Sequence, residues 1–144
     1  MLQGKLVRVV NFCTFIPMPD IHDRKDVVYL VDQFYKQVVV DEEIGVFFTE
    51  VVQLTWEKHM PVMYDFWEST LFGKALYKGN PMLKHIDLHG KMALTKAHFE
   101  RWLSLWTATV QQHFEGPNAE AALSKAQQIA ALMQYKIEQH PFFP

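Results

Sequence analysis

Among the residue types able to do chemistry, histidine is the most informative here: the chain has seven. His85 stands between Lys84 and Ile86, with Met82, Leu83 and Leu88 around it. A neutral imidazole in apolar surroundings can offer a ring-nitrogen lone pair to a metal. It can equally be a surface or hydrogen-bonded structural residue. His85 and His89 are spaced i, i+4, so one helix face would present both to zinc, but no third ligand is evident and Gly90 is placed to end the helix first. Tyr35, His59 and Trp102 form a second set, each on the apolar stripe of a different helical segment and each with a polar tip. Buried tyrosine hydroxyls and tryptophan N–H groups need partners. Two arrangements meet that need: bonds to backbone or to one another within a core, or a cluster of donors turned into one shared pocket. Other candidates carry less. Adjacent Glu42 and Glu43 face different directions, nothing marks Cys13 as a reactive thiol, and no nucleophile-elbow, P-loop or dinucleotide-binding glycine motif occurs.

The elements that must position these residues are helices. Val27, Leu30, Val31, Phe34, Tyr35 and Val38 recur at steps of three and four, which predicts a helix from about Asp23, its N-cap, to Val40. Asp41 to Val52 is expected to hold a short helical turn that delivers Phe47 and Phe48 inward. A second long helix is predicted from Thr55 to Ala75, with His59, Met63, Phe66, Trp67 and Thr70 on its inner stripe. Pro61 cannot donate to the carbonyl of Glu57, so this helix should be kinked in its first turns or start late. Asn80-Pro81 suits the start of a short helix that carries His85 and ends near Gly90. Thr95 is placed to cap a helix running to Phe114, with Phe99, Trp102, Leu103, Trp106 and Val110 on one face. After Gly116-Pro117-Asn118, a last helix is predicted from Ala119 to Ile137. No strand pattern survives, and the tail from Pro141 to Pro144 is too proline-rich for helix.

A chain of 144 residues is one domain's length and can bury a sizeable core. It is 49% hydrophobic and 14% aromatic, so either the core itself is aromatic or something large and flat is held inside. Fourteen basic and sixteen acidic residues leave a formal net charge of −2 without a basic block, which argues against a nucleic-acid partner. No apolar run reaches the length of about 18 residues needed to span a membrane. A single cysteine excludes an internal disulfide and fits a reducing, cytoplasmic setting. Residues 1–19 form an N-terminal arm. Its apolar stretch, broken by Arg8, Asn11 and Thr14 and lacking a small-residue cleavage site, reads better as an extended or frayed arm than as a secretory signal. The domain proper is then 20–144.

Several segments together resemble the group III truncated haemoglobins. They are Phe34-Tyr35-Lys36-Gln37-Val38 with Asp41 and Ile44-Gly45-Val46-Phe47-Phe48; Trp56-Glu57-Lys58-His59 with Phe66-Trp67 and Leu71-Phe72; Gly79-Asn80-Pro81 with Lys84-His85; and His98-Phe99-Glu100-Arg101-Trp102-Leu103. The helix containing Lys125-Ala126 and Ile129-Ala130 completes the set. These segments run in order over about residues 24 to 137, while residues 1–19 have no counterpart.

The resemblance implies an all-α truncated globin fold, a two-over-two helical sandwich around haem b. It implies that His85 is the protein ligand to a five-coordinate iron. Tyr35, His59 and Trp102 would stand on the opposite, ligand-binding side. Phe48 would pack on the porphyrin, and Met63, Phe66 and Trp67 would line the distal wall. Phe34, Ile86, Phe99 and Leu103 would contact the cofactor, and Lys78 and Lys84 would pair with the propionates. The implied ligands are dioxygen, nitric oxide or carbon monoxide, with an unidentified reductase as partner. A polar distal set favours ligand chemistry, scavenging or sensing over bulk transport, with nitric oxide dioxygenase-like or peroxidase-like activity open. The alternatives are a haem-free globin-like sensor or interaction module and, more remotely, a zinc protein built on His85 and His89.

Overall fold

The computed structural model describes residues 17–52 and 54–140, and these are all helical with turns and no strand. The helices are α1 (Arg24–Val38), α2 (Trp56–Phe72), α3 (Pro81–Lys91), α4 (Lys96–His113) and α5 (Pro117–Glu138), with a single π-helical turn at Phe47–Val51. Most of the arm expected at 1–19, Cys13 with it, lies outside the described residues, as does the tail at 141–144.

Local chemistry sets most of the boundaries. Asp23 caps α1 by accepting from the Asp26 N–H, and Asn80 caps α3 by accepting from the Leu83 N–H, with Pro81 in the first turn where its missing donor costs nothing. Thr95 and His98 form a reciprocal capping box at the start of α4. Gly73 stops α2 in a left-handed conformation at φ 67°. The helix containing Pro61 begins at Trp56 and so does not start late; Pro61 is accommodated in its second turn. α3 ends at Lys91, within one residue of Gly90 as expected, but it stays helical through His89 rather than stopping before it.

The core explains why the helices assemble as two layers. α1 packs on α2 and on α4, α4 on α5, and α3 on α5, so the α1–α2 pair lies across the α4–α5 pair. Trp106 is fully buried where the layers meet. Its indole stacks on Trp67 at 4.2 Å between ring centroids and meets Phe34 edge-on at 5.1 Å. Its Nε1–H donates to the Ala122 carbonyl at 3.1 Å. That approach is possible because α5 presents alanines at 119, 122, 126 and 130, all buried. Small residues at this spacing leave room for a large aromatic from the facing helix.

Charged groups tie the ends of the elements together. The Asp20 carboxylate accepts from the Asn118 and Ala119 N–H groups and so caps α5 from a position 98 residues earlier in sequence. Gly116, at φ 143°, is required there, since a Cβ would fall 2.5 Å from Asp20 Cγ. Arg24 and Lys74 each bond an oxygen of buried Glu68, joining the start of α1 to the C-terminal end of α2 and the segment after it.

Asp41 is the anchor of the turn after α1. One carboxylate oxygen accepts from the Glu43 and Ile44 N–H groups, and the other takes the Arg101 guanidinium at 2.6 and 2.8 Å. Burial alone would raise its pKa, but the Arg101 side chain and the two N–H groups hold it below the ordinary carboxylate value. Because the folded pKa is depressed, the stabilisation is complete above about pH 4 and is lost as pH falls through the folded value. We expect Asp41→Ala to cost about 2–3 kcal/mol near neutral pH, since two N–H groups and a guanidinium lose a charged acceptor. The variant should also show a shallower loss of stability as pH falls below about 4. Urea midpoints measured across that range, equal in slope for both proteins, would remove Asp41 from this role.

Candidate functional site

The chemistry-bearing residues gather on two sides of the molecule, and each side is built differently. On α3, the helix sets the geometry of His85. A side chain at position i reaches the carbonyl at i−4, and His85 Nδ1 lies 2.6 Å from the Pro81 carbonyl oxygen. A carbonyl can only accept, so Nδ1 carries the proton and Nε2 carries the lone pair. Burial lowers the His85 pKa, an effect only partly offset by the bond to Pro81, so the ring is neutral at pH 7. Nε2 has no hydrogen-bond partner among the described residues.

His89, four residues on, behaves differently. It is buried, and its Nδ1 accepts from the Leu94 N–H at 2.9 Å, which commits that nitrogen to the connection between α3 and α4. Among the described residues no group of three His, Cys, Asp or Glu side chains is arranged to hold a metal ion.

The other side is aromatic with two polar tips. The His59 Nε2 and Tyr35 hydroxyl are 3.2 Å apart, and their rings meet edge-on at 5.3 Å. Phe48 and Trp56 complete the group: Tyr35 is 5.6 Å from Phe48 and 5.8 Å from Trp56 between centroids. Burial raises the Tyr35 pKa far above its ordinary value and lowers that of His59, so both are neutral at pH 7. Two neutral groups in contact share one proton between them. If His59 Nε2–H donates to the Tyr35 oxygen, the Tyr35 proton is free for a third group.

Trp102 joins the two sides. Its ring meets Phe34 at 5.9 Å and lies parallel to Trp106 at 6.2 Å. Trp102 and Leu103 pack against the buried residues around Phe34 and Trp106, and also against those around Phe99 and Met133, on which Ile86 and Met82 rest. No hydrogen-bond partner for Trp102 Nε1 occurs among the described residues.

The remaining predicted site residues divide by burial. Phe34, Trp67 and Phe99 are buried in the core. Phe48, Met63, Phe66, Ile86 and Leu103 are half-buried. Lys78 and Lys84 are exposed and form no ion pair among the described residues, whereas Lys74, not singled out from the sequence, is engaged by Glu68. Sequence reasoning also passed over Leu71, Leu88 and Leu94, half-buried apolar residues drawn from three different parts of the chain. Nothing local in the sequence distinguishes such residues from ordinary core residues.

The sequence profile of the bacterial-like globins matches residues 20–135. The chain belongs to the bacterial-like globin family. A curated relative, the group 3 truncated hemoglobin ctb of Campylobacter jejuni, is 27% identical over 115 residues, which is 78% of this chain and 88% of that protein. A crystal structure of a group III truncated hemoglobin from Campylobacter jejuni aligns with a TM-score of 0.71 at 24% identity, covering 85% of this chain and 96% of that one, and so shares the fold.

Membership of the globins implies haem, and the residues present fit it. The donor chemistry of His85 is that of an axial ligand: a neutral imidazole with one nitrogen pinned to a carbonyl and the other bare. Half-buried apolar side chains from the π-helical turn, α2, α3 and α4 are of the kind a flat hydrophobic group would cover. No helix among the described residues is long and apolar enough to cross a membrane.

Proposed function

We propose that this globin binds haem b through His85 Nε2 and captures dioxygen or another diatomic gas on the side of Tyr35, His59 and Trp102. The observation that carries the reading is the bond from His85 Nδ1 to the Pro81 carbonyl, which leaves Nε2 as a donor. When bound, haem supplies an iron that accepts a gas molecule and moves electron density onto it.

Every other role falls to the chain. Pro81 fixes the tautomer and orientation of His85 and makes it a better donor. Phe48, Met63, Phe66, Ile86 and Leu103 would hold the porphyrin with Phe34, Trp67 and Phe99 behind them, and Lys78 and Lys84 would pair with its carboxylates. On the gas side, the Tyr35 hydroxyl and Trp102 N–H donate to a ligand that carries partial negative charge, and such bonds are stronger than neutral ones. His59 holds the Tyr35 oxygen and thereby turns the hydroxyl proton outward. The outcome is slow release, which suits ligand chemistry, scavenging or sensing better than transport. Oxidation of nitric oxide by captured dioxygen, or activation of peroxide by proton transfer through His59 and Tyr35, are reactions this set supports. A cytoplasmic reductase would then return the iron to its ferrous state.

The spectrum of the purified protein tests this directly. Haemin added to the chain should give a Soret band at one equivalent, and the reduced protein should shift that band with carbon monoxide. A chain that stays colourless after haemin is added leaves the haem-free globin reading in its place.

A further inference from the structure

Trp102, Trp106 and Trp67 form a continuous series of indoles. Trp102 lies parallel to Trp106 at 6.2 Å between ring centroids, and Trp106 stacks on Trp67 at 4.2 Å. The series continues through Phe66, edge-on to Trp67 at 5.4 Å, to Tyr77, edge-on to Phe66 at 5.2 Å. Its ends differ from its middle. Trp102 and Tyr77 are half-buried, whereas Trp106 and Trp67 are shut away from water. We propose that this series carries electrons from Tyr77, on the loop between α2 and α3, inward to Trp102, so that phenols at the surface are oxidised by a peroxide reduced in the gas pocket. The inference rests on the haem reading given above and deepens it by naming a class of electron donor and the residue that meets it.

Indole and phenol are the most readily oxidised of the aromatic side chains, and here they lie in ring contact from the pocket to a surface loop. The middle of the series is dry, and the Trp106 Nε1–H is held by the Ala122 carbonyl at 3.1 Å. An electron vacancy on that ring therefore keeps its proton and moves on instead of reacting with water. Phe66 is harder to oxidise and acts as a spacer one ring thick. Tyr77 is positioned from three sides. Its backbone N–H donates to Ser69 Oγ at 3.0 Å, and Phe66 meets its ring. Gly79 passes over its hydroxyl so closely that a Cβ there would fall 2.4 Å from the Tyr77 oxygen. Burial raises the Tyr77 pKa, so the phenol keeps its proton until an electron leaves the ring. Leu76, Lys78 and Gly79 beside it are exposed, which leaves Tyr77 within reach of molecules in solution.

The electrons balance as follows. Hydrogen peroxide reduced in the pocket takes up two electrons and two protons, its O–O bond breaks, and two waters leave. Each electron comes from the Tyr77 ring, whose hydroxyl proton passes to solvent and leaves a neutral phenoxyl radical. A phenol in solution gives its hydrogen atom to that radical and becomes a phenoxyl radical itself. Two such turns oxidise two phenols and restore the chain.

The test is electron paramagnetic resonance of the ferric, haem-loaded protein mixed with hydrogen peroxide and frozen, with guaiacol oxidation as a second reading. The wild-type protein should show a tyrosyl signal that narrows when its tyrosines are ring-deuterated and that guaiacol removes. Tyr77→Phe should lose the signal and oxidise guaiacol about tenfold more slowly, with carbon monoxide association unchanged. Trp106→Phe keeps an aromatic ring beside Trp67 and should lower the Tyr77 signal about tenfold at the same freezing time. Trp67→Phe should do the same and decides the matter if Trp106→Phe does not fold. A tyrosyl signal that survives Tyr77→Phe and vanishes in Tyr35→Phe or Tyr64→Phe overturns the relay, as does a Tyr77 signal indifferent to both tryptophan substitutions. Guaiacol oxidised at the wild-type rate by Tyr77→Phe overturns it too. A chain that takes up no haemin overturns the haem reading and the relay together, whereas normal uptake without a radical on Tyr77 overturns the relay alone.

Discussion

In His85→Ala, haemin should no longer bind with a sharp Soret band at one equivalent, while His89→Ala should still bind it. The two residues are four apart on the same helix, so composition and local propensity barely separate them. Their hydrogen bonds do. His85 spends Nδ1 on the Pro81 carbonyl and keeps Nε2 bare, whereas His89 Nδ1 accepts a backbone N–H and holds the α3–α4 connection. Loss of an outer-shell partner costs about ten- to a hundredfold in affinity for a metal group, and loss of the ligand itself should exceed that. His89→Ala should instead lower thermal stability, because the Leu94 N–H loses its acceptor, at a cost of about 1–3 kcal/mol. Free imidazole should restore the spectrum of His85→Ala by filling the space with the same donor. Equal losses of haem in the two alanine variants would contradict the assignment of His85.

Tyr35→Phe and Trp102→Phe should each speed the release of dioxygen by about ten- to a hundredfold, the equivalent of 1.5–3 kcal/mol for a hydrogen bond to a group bearing charge. Both substitutions keep an aromatic ring in place, so the packing of Tyr35 on Phe48 and of Trp102 on Phe34 is largely retained. Carbon monoxide, which draws less charge from the iron, should be released with a much smaller change. Stopped-flow displacement of each gas measures both. Unchanged dioxygen rates in the two variants would return Tyr35, His59 and Trp102 to the other arrangement their sequence allows, polar tips satisfied within the core. Their difference in surroundings gives an ordering as well. The Tyr35 hydroxyl already touches His59 at 3.2 Å, so removing it also frees His59, while Trp102 Nε1 has no bonded neighbour among the described residues to release.

The helices were legible because their signals are local. Apolar residues at steps of three and four place α1, and Asp23, Asn80 and Thr95 mark helix starts that the structure keeps as side-chain caps. Gly90 marks the end of α3 to within one residue, because glycine weakens a helix locally by about 1 kcal/mol. Of the two outcomes expected of Pro61, a late start does not occur: one absent hydrogen bond does not delay a helix whose first turn carries Trp56 against Tyr35 and Phe48.

The sequence by itself determined the all-α class, the order of the helices, and the presence of His85 on a short helix opened by Asn80-Pro81, since these depend on neighbours within a few residues along the chain. Only the tertiary structure decided what each polar tip touches. It set Tyr35 of α1 against His59 of α2, made Trp102 a common neighbour of both packed regions, tied Asp41 to Arg101 across 60 residues, and opened a cleft beside Trp56. Such contacts join residues far apart in the chain, and their geometry follows from how whole helices pack, which periodicity along one helix does not encode.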